Sequence, residues 1–291
     1  MAVRVITAPP GHGKTLNMTR KAIQIYKSQN NIIDKLKSKI KKEDFIYYNS
    51  IYSNYPILLN HNKKKFKYMN PDGEIKESVP IKKVYDEKIK KFYYKECKEE
   101  EHEYYGMYSI YIKFTDMRLK YNFGWNASFF IDELQYIYDS QEYKDFPDCI
   151  AHFFQVHRHL NYNMIYTNSQ SLSRVIKRVL CVSEEFWNVL KLKHIFGFTY
   201  VKYVIRTDIS NGKDNENQTI KKEEDYDIFR EIYFNKWVFN GYITKYLNAL
   251  NDDLPKYKCY NYKSLKMPKE FILKGFMVSQ SEKDELKKQE F

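Results

Sequence analysis

Residues 8–15 read Ala8-Pro9-Pro10-Gly11-His12-Gly13-Lys14-Thr15 and are the most informative segment of the sequence. Its spacing matches a phosphate-binding loop, with Ala8 where the commoner form has glycine. The apolar, β-branched run at residues 3–7 predicts a buried strand before it, and apolar residues at helical spacing over 16–26 predict a helix after it. This is the context that such a loop requires. The alternative is a chance Gly-Lys-Thr in a lysine-rich chain.

The residue types of this stretch suit the binding of a nucleoside triphosphate. Gly11 and Gly13 let the backbone turn so that its N–H groups point at phosphate oxygens. Lys14 supplies positive charge for the β- and γ-phosphates, the Thr15 hydroxyl is placed to bind magnesium, and the following helix adds its positive end. ATP and Mg²⁺ are therefore the predicted cofactors. The predicted nucleotide-binding residues are Pro10, Gly11, His12, Gly13, Lys14 and Thr15.

A second informative stretch is the apolar run at residues 128–131, which ends in Asp132 and Glu133. Beside a phosphate-binding loop, such an aspartate holds the magnesium shell, so Asp132 and Thr15 are the predicted metal residues. Glu133 is placed to polarise an attacking water as a general base. A kinase that passes phosphoryl to a bound acceptor has less use for this second carboxylate. The alternative is an acidic helix cap after a core strand.

Residues 163–170 form an apolar run that ends in polar amides. In multi-strand P-loop ATPases, the strand between the loop and the acidic strand carries a polar residue that senses the γ-phosphate. Gln170 is the first candidate for this role and Asn168 the second; the alternative is a plain turn at a strand end.

An arginine from a neighbouring subunit often completes the site of ring-forming ATPases. Arg158 is the candidate for this catalytic role, because its own segment offers no acidic partner except Asp148. Arg174 and Arg178 compete for the same role. The alternative is that Arg158 pairs with a carboxylate elsewhere in its own fold.

The balance of charged residues favours a polyanionic partner or an anionic membrane surface. The 291 residues carry a net charge of +12, and the sequence pI is about 9.2. Two candidate surfaces are the basic-aromatic stretch Lys63, Lys64, Lys65, Phe66 and Tyr68, and the pair Lys177 and Arg178. The alternatives are a solvated surface lobe and a lysine content that merely reflects an AT-rich coding sequence.

Other features set the expected compartment and domain organisation. The four cysteines are scattered, which predicts reduced thiols, and no apolar run has the length of a membrane span. We expect an α/β fold, a P-loop core with a mostly parallel sheet flanked by helices. This ATPase domain is expected over residues 1–195, with a charged insertion at about 61–105. A smaller appendage with β character is expected over 196–291, where residues 198–206 alternate as in a strand.

Four pieces of the chain together resemble the Zot family, the zonula-occludens-toxin-like morphogenesis ATPases of filamentous bacteriophages. They are the loop at 8–15, Tyr52-Ser53-Asn54-Tyr55-Pro56, Phe130-Ile131-Asp132-Glu133-Leu134-Gln135, and His157-Arg158-His159 with the run Met164 to Gln170. The last piece is the most specific, because an Arg-His pair just before a strand that ends in glutamine is unusual outside this group. The resemblance covers roughly the first two-thirds of the chain.

The resemblance implies an ATPase that helps to feed single-stranded or viral DNA into a growing virion. The wider relatives are ring-forming DNA pumps of the HerA/FtsK type. The implied partners are DNA, further copies of the chain, phage assembly proteins and, indirectly, the host inner membrane, with a location in the host cytoplasm. Family members usually carry a membrane span after the ATPase domain, and this chain shows none. Two alternatives stay open: a P-loop kinase for a small acceptor, and a scaffold that uses ATP only as a switch.

Overall fold

The computed structural model describes residues 2–37, 47–71, 74–87, 91–112, 126–138, 140–142, 146–157, 162–195, 198–207 and 227–234, together with Phe114 and Phe123. The α-helices in these ranges are α1 (Lys14–Lys37), α2 (Leu134–Ile137), α3 (Asp148–Val156) and α4 (Lys177–Leu180). The strands are β1 (Ala2–Thr7), β2 (Tyr47–Tyr48), β3 (Ile51–Ser53), β4 (Leu58–Asn62), β5 (Lys67–Met69), β6 (Ile75–Glu77), β7 (Val79–Asp86), β8 (Lys91–Glu96), β9 (Tyr104–Tyr108), β10 (Ile110–Tyr111), β11 (Ser128–Ile131), β12 (Met164–Ser169), β13 (Glu185–Ile195), β14 (Phe198–Arg206) and β15 (Asp227–Phe234).

The central element is an eight-stranded sheet in the order β10-β3-β11-β12-β1-β13-β14-β15. The first six strands of this order run parallel, β14 is antiparallel to β13, and β15 is antiparallel to β14. The protein is thus mixed α/β with a large, mostly parallel sheet and few helices in the described residues. The predicted mostly parallel α/β sheet is confirmed.

Helices cover both faces of this sheet. On one face α1 buries Met18, Ala22 and Tyr26, which recur every four residues, in one cluster with Phe130 and Tyr166 of the sheet. The rings of Phe130 and Tyr166 stack with centroids 5.2 Å apart. On the other face α3 and α4 pack in a second buried cluster, with residues 150, 153, 154 and 179 against the opposite side of β11 and β12. The central strands are therefore covered on both sides, as their continuous apolar sequences predict.

The expected insertion at 61–105 is mainly β structure in its described part, with a 3₁₀ turn at Glu99–Glu101. It contributes to two smaller sheets, with the orders β2-β5-β6 and β4-β9-β7-β8. Phe66 and Tyr68 of the basic-aromatic stretch pack against the buried cluster of α1, and the Phe66 ring lies 5.2 Å from that of Tyr47. Lys63 and Lys64 are exposed. This stretch therefore presents its lysines to solvent while its aromatic rings stabilise the fold.

The last described strands extend the large sheet. β13 and β14 form a hairpin, and β15 pairs along β14. The expected domain boundary at 195/196 falls between the two strands of this hairpin; the division into domains stays a prediction. The Asn211-Gly212 turn and the tail from residue 235 lie outside the described residues. Within the described part, no helix combines the length and the apolar character needed to cross a membrane.

Candidate nucleotide-binding site

The loop between β1 and α1 has the backbone shape that its glycines predict. Gly11 and Gly13 have φ angles of +77° and +75°, in the left-handed region that favours glycine. A Cβ atom at Gly11 would meet no atom within 4 Å, whereas one at Gly13 would lie 2.7 Å from Cδ2 of Leu192. Gly11 is thus required for its backbone conformation, and Gly13 also for the close approach of Leu192.

Lys14 folds back across its own loop. Its side chain is only 4% exposed, and its ammonium donates a hydrogen bond of 3.0 Å to the carbonyl of Ala8. The same Nζ lies 3.7 Å from Oε1 of Glu133. A lysine in this position brings positive charge to the edge where β1 and β11 both end. The structure therefore brings together two residues that are 119 positions apart in the sequence.

Thr15 and Asp132, the two predicted metal residues, are in direct contact. The Thr15 hydroxyl donates to the Asp132 carboxylate, with Oγ1 2.9 Å from Oδ1 and 3.1 Å from Oδ2. Asp132 follows the last residue of β11 and is buried. A hydroxyl and a carboxylate are the oxygen donors that Mg²⁺ prefers.

Two buried asparagines hold the Asp132-Glu133 turn from the strands on either side of β11. From β12, the amide group of Asn168 donates to Oδ1 of Asp132, and its oxygen accepts the Glu133 N–H at 2.8 Å. Asn54, just after β3, donates to the Asp132 carbonyl at 2.9 Å and accepts the Asp132 N–H at 2.7 Å. Asn54 was not among the predicted site residues. Only the order of the strands in the sheet reveals that it lies beside Asp132.

Glu133 has a backbone conformation that side chains rarely adopt. Its φ and ψ angles are 51° and 55°, in the left-handed region. Such a conformation costs on the order of 1–3 kcal/mol and persists where the surroundings determine it, often at functional sites. Here the bond from its N–H to Asn168 holds the backbone, and Gln135 donates to its Oε2. The Glu133 side chain is 18% exposed.

The other predicted site residues lie apart from this cluster or outside the described residues. Gln170 is half-buried just after β12, and its amide lies 3.5 Å from the Tyr136 hydroxyl. Of the two amides proposed to sense phosphate, Asn168 is the one in contact with Asp132. Arg158 falls outside the described residues. Its competitor Arg178 forms an exposed pair of 2.7 Å with Asp148, and Arg174 is exposed.

The environment of Asp132 opposes its negative charge. Burial is the largest effect and raises the pKa of this carboxyl from 3.8 to about 6, and the nearby charge of Glu133 raises it further. The hydrogen bonds from Asn168 and Thr15, and the charge of Lys14, act in the opposite direction. A bound divalent cation would favour the ionised form, so metal binding at this carboxylate releases a proton below about pH 6.

The raised pKa of Asp132 predicts a stability difference that depends on pH. The pKa of Asp132 in the folded protein lies above its value in the unfolded chain, so proton binding to this carboxyl favours the folded state. This contribution to the free energy of unfolding is complete below about pH 4 and is lost as the pH rises through about 6. Ionisation at neutral pH then costs ~3 kcal/mol, at 1.36 kcal/mol per pKa unit. We expect Asp132→Asn to be more stable than the parent protein by up to this amount near pH 7.5, with the gain vanishing toward pH 4. Urea unfolding without magnesium at several pH values measures it.

The matched control is Asp148→Asn, because Asp148 is exposed at the start of α3 and pairs with Arg178 and not with a residue of the site. Its effect on the free energy of unfolding should be small across the same pH range. If Asp132→Asn raised the free energy of unfolding by the same amount at every pH, packing and not the carboxylate charge would be the cause of the added stability.

Residues 87–225 match the family model of the zonular occludens toxin (Zot). This range contains Asp132, Glu133, Asn168 and Gln170, while the loop at 8–15 precedes it. Among solved structures, the chain resembles the N-terminal domain of the zonular occludens toxin from Neisseria meningitidis, at 14% identity and a TM-score of 0.36. The resemblance covers 83% of this chain and 98% of that one. No curated protein matches the chain.

The family match lies over the part of the chain that carries the acidic strand and the amide strand. Two of the four sequence pieces on which the resemblance rests fall within it, and the match therefore supports the same family independently of the loop. The resemblance expected from the motifs is thus confirmed, and the chain is Zot-like.

Proposed function

We propose that this chain is a P-loop protein that binds and hydrolyses ATP. The observation that carries the proposal is the convergence of Lys14, Thr15, Asp132 and Glu133 at one edge of the sheet. They meet where the parallel strands end, which is where ligands bind in open α/β sheets. The residues present also fit the ligand: the side of Gly11 that a Cβ would occupy is open, and the loop leads into the N-terminus of a long helix.

The order of the strands supports a hydrolase of the multi-strand P-loop type. β12 lies between the loop strand β1 and the acidic strand β11, although it follows β11 in the sequence. This arrangement places the polar end of β12 beside both motifs. Asn168 contacts Asp132 and the backbone of Glu133. A shift of the turn that carries these two carboxylates would therefore also move the Asn168 side chain.

In this proposal each residue has a separate task. Thr15 and Asp132 would hold Mg²⁺, which neutralises phosphate charge when bound. Lys14 supplies a positive charge to the phosphates, and Glu133 takes a proton from the attacking water. Asn168 and Asn54 fix the turn that carries both carboxylates. Gln170 and Arg158 keep their proposed roles as phosphate sensor and as an arginine acting on a neighbouring subunit.

We further propose that hydrolysis drives the movement of viral DNA during filamentous phage assembly, export or packaging. The support is membership of a Zot-like family together with a net charge of +12. The proposed partners are single-stranded or viral DNA, other copies of the chain in a ring, and phage assembly proteins. The proposed location is the host cytoplasm, with indirect contact with the inner membrane.

The test is an ATPase assay with and without single-stranded DNA, on protein whose native mass has been measured. We expect magnesium-dependent hydrolysis that DNA stimulates and that requires an oligomer. Turnover only with a small phosphoryl acceptor would indicate a kinase. Tight ATP binding with negligible turnover would indicate an ATP-switched scaffold. Either result would overturn the proposed function.

Binding to single-stranded DNA should weaken as salt rises, because lysine and arginine contacts release counterions from phosphates. For single strands the slope of log K against log salt is about −0.7 per phosphate contact. We therefore expect Lys63→Gln with Lys64→Gln to reduce the slope by about 1.4 if this stretch is the contact surface. Titration of a labelled oligonucleotide at several salt concentrations measures the slope.

The second surface serves as the matched control. Lys177→Gln with Arg178→Gln removes the same charge from α4. If neither pair changes the slope, neither surface contacts DNA. An affinity that stays flat from low to moderate salt would indicate that the charge only reflects composition.

A further inference from the structure

The C-terminal strands contact the helix of the phosphate-binding loop at successive points along one side. At the loop itself, Leu192 of β13 lies directly against Gly13. One turn further along α1, the Tyr233 hydroxyl of β15 donates to Oδ1 of Asn17 at 3.3 Å. Residues of α1 and of β13–β15 also belong to one buried cluster. The C-terminal strands therefore contact α1 on the side that carries positions 13 and 17.

The third contact is an ion cluster centred on Glu231 of β15. Lys21 donates to Oε1 of Glu231 at 2.9 Å, and Arg20 pairs with Oε2. The three side chains are only 11–16% exposed, and the Arg20 guanidinium lies 3.9 Å from the centre of the Tyr233 ring. One carboxylate thus lies between two cations that water solvates poorly. Removing its charge would leave two like charges side by side, which is costly in a poorly solvated place.

These contacts fix how α1 is rotated about its axis. Positions 13, 17, 20 and 21 share one side of a helix, because residues three and four apart lie above one another. Lys14 and Thr15 belong to the first turn of the same helix. A rotation or shift of α1 would therefore move the Lys14 ammonium and the Thr15 hydroxyl relative to Asp132, which belongs to a different strand.

We propose that Glu231 is a positioning residue for the nucleotide site, acting through Arg20 and Lys21 on the start of α1. The inference rests on the proposed function, since it assumes that the loop at 8–15 binds ATP. It follows that any event that separates β15 from α1 weakens nucleotide binding. β15 ends the described order of the large sheet, so it has a sheet neighbour on only one side among the described strands.

The test compares Glu231→Gln with a matched variant, Glu185→Gln. Glu185 pairs with Arg4 at 2.8 Å and is 24% exposed, but this pair joins two strands and not a strand to α1. We expect Glu231→Gln to weaken the binding of a fluorescent ATP analogue by about 10- to 100-fold, the range for losing one hydrogen bond to a charged group. Glu231→Asp, which keeps the charge, should restore part of the affinity. Glu185→Gln should lower the melting temperature comparably and leave the dissociation constant unchanged.

Amide hydrogen exchange on the protein without nucleotide gives an independent readout. We expect faster exchange over residues 13–21 in Glu231→Gln and unchanged exchange there in Glu185→Gln. The inference would be overturned if wild type and Glu231→Gln bound the ATP analogue with equal affinity, or if Glu231→Gln and Glu185→Gln lost affinity equally. Unchanged exchange over 13–21 would also overturn it. If the wild-type protein binds no ATP analogue while exchange behaves as expected, the proposed function fails and the contact between β15 and α1 is structural only.

Discussion

Replacing Glu133 with glutamine is expected to slow ATP hydrolysis by ~10²- to 10⁴-fold, the usual effect of removing a general base. ATP should still bind, because Lys14, Thr15 and Asp132 remain. Affinity should be equal or slightly higher, because Glu133 lies 3.7 Å from the Lys14 ammonium and competes with phosphate for it. Single-turnover hydrolysis and binding of a fluorescent ATP analogue, measured on the same preparation, separate the two effects.

Glu100→Gln is the control for this substitution. Glu100 is exposed in a 3₁₀ turn remote in sequence from both motifs, and its substitution should change neither rate nor affinity. If Glu133→Gln lost affinity and kept its turnover of bound ATP, Glu133 would be structural and its assignment as the base would be wrong.

Lys14→Ala is expected to abolish measurable ATP binding while the fold persists. The ammonium donates to the carbonyls of Ala8 and Pro9 within the loop and pairs with Glu133, and Lys14 belongs to neither of the buried apolar clusters. Losing charge-assisted hydrogen bonds to phosphate costs up to ~3 kcal/mol, which alone weakens binding about 100-fold. Isothermal titration with ATP and magnesium measures the loss, and circular dichroism checks the fold.

Lys177→Ala, which removes an exposed lysine from α4, should bind ATP normally. The assignment of the loop would be wrong if Lys14→Ala hydrolysed ATP at the wild-type rate. A variant that failed to fold would show instead that the pair formed by Lys14 and Glu133 is needed for stability, which circular dichroism and the melting temperature would reveal.

The parts of the site that were predictable from the sequence are those set by neighbouring residues. The glycines at 11 and 13 require φ values above zero, and the observed angles agree. The apolar run before Asp132 predicts a buried strand, and β11 ends at Ile131. In both places the residue types and their spacing determine the local backbone, so no knowledge of distant contacts is needed.

The parts that were not predictable depend on which strands become neighbours. Asn54 lies beside Asp132 only because β3 is the neighbour of β11 in the sheet. Phe66 lies in a basic stretch typical of a nucleic-acid surface. Its ring nevertheless packs against the buried cluster that contains the apolar residues of α1, because β5 pairs with β2. The contact of Glu231 with α1 joins residues more than 200 positions apart, and no local pattern indicates it.

The position of β1 in the middle of the sheet has a consequence for synthesis of the chain. β1 is synthesised before its two neighbours in the sheet, β12 and β13, which begin roughly 160 and 180 residues later. At translation rates of ~5–20 residues per second, the strand waits ~8–30 s for its first partner. During that time an apolar, β-branched segment is exposed to other nascent chains.

Arg4 interrupts this segment. In the finished fold its guanidinium pairs with Glu185 and donates to the Tyr166 hydroxyl, so the charge is compensated only after β12 and β13 have been made. Before that, an uncompensated charge in the centre of a short apolar strand opposes pairing with identical strands from other chains. Arg4 thus protects the newly made strand from aggregation until the residues that neutralise it have been synthesised.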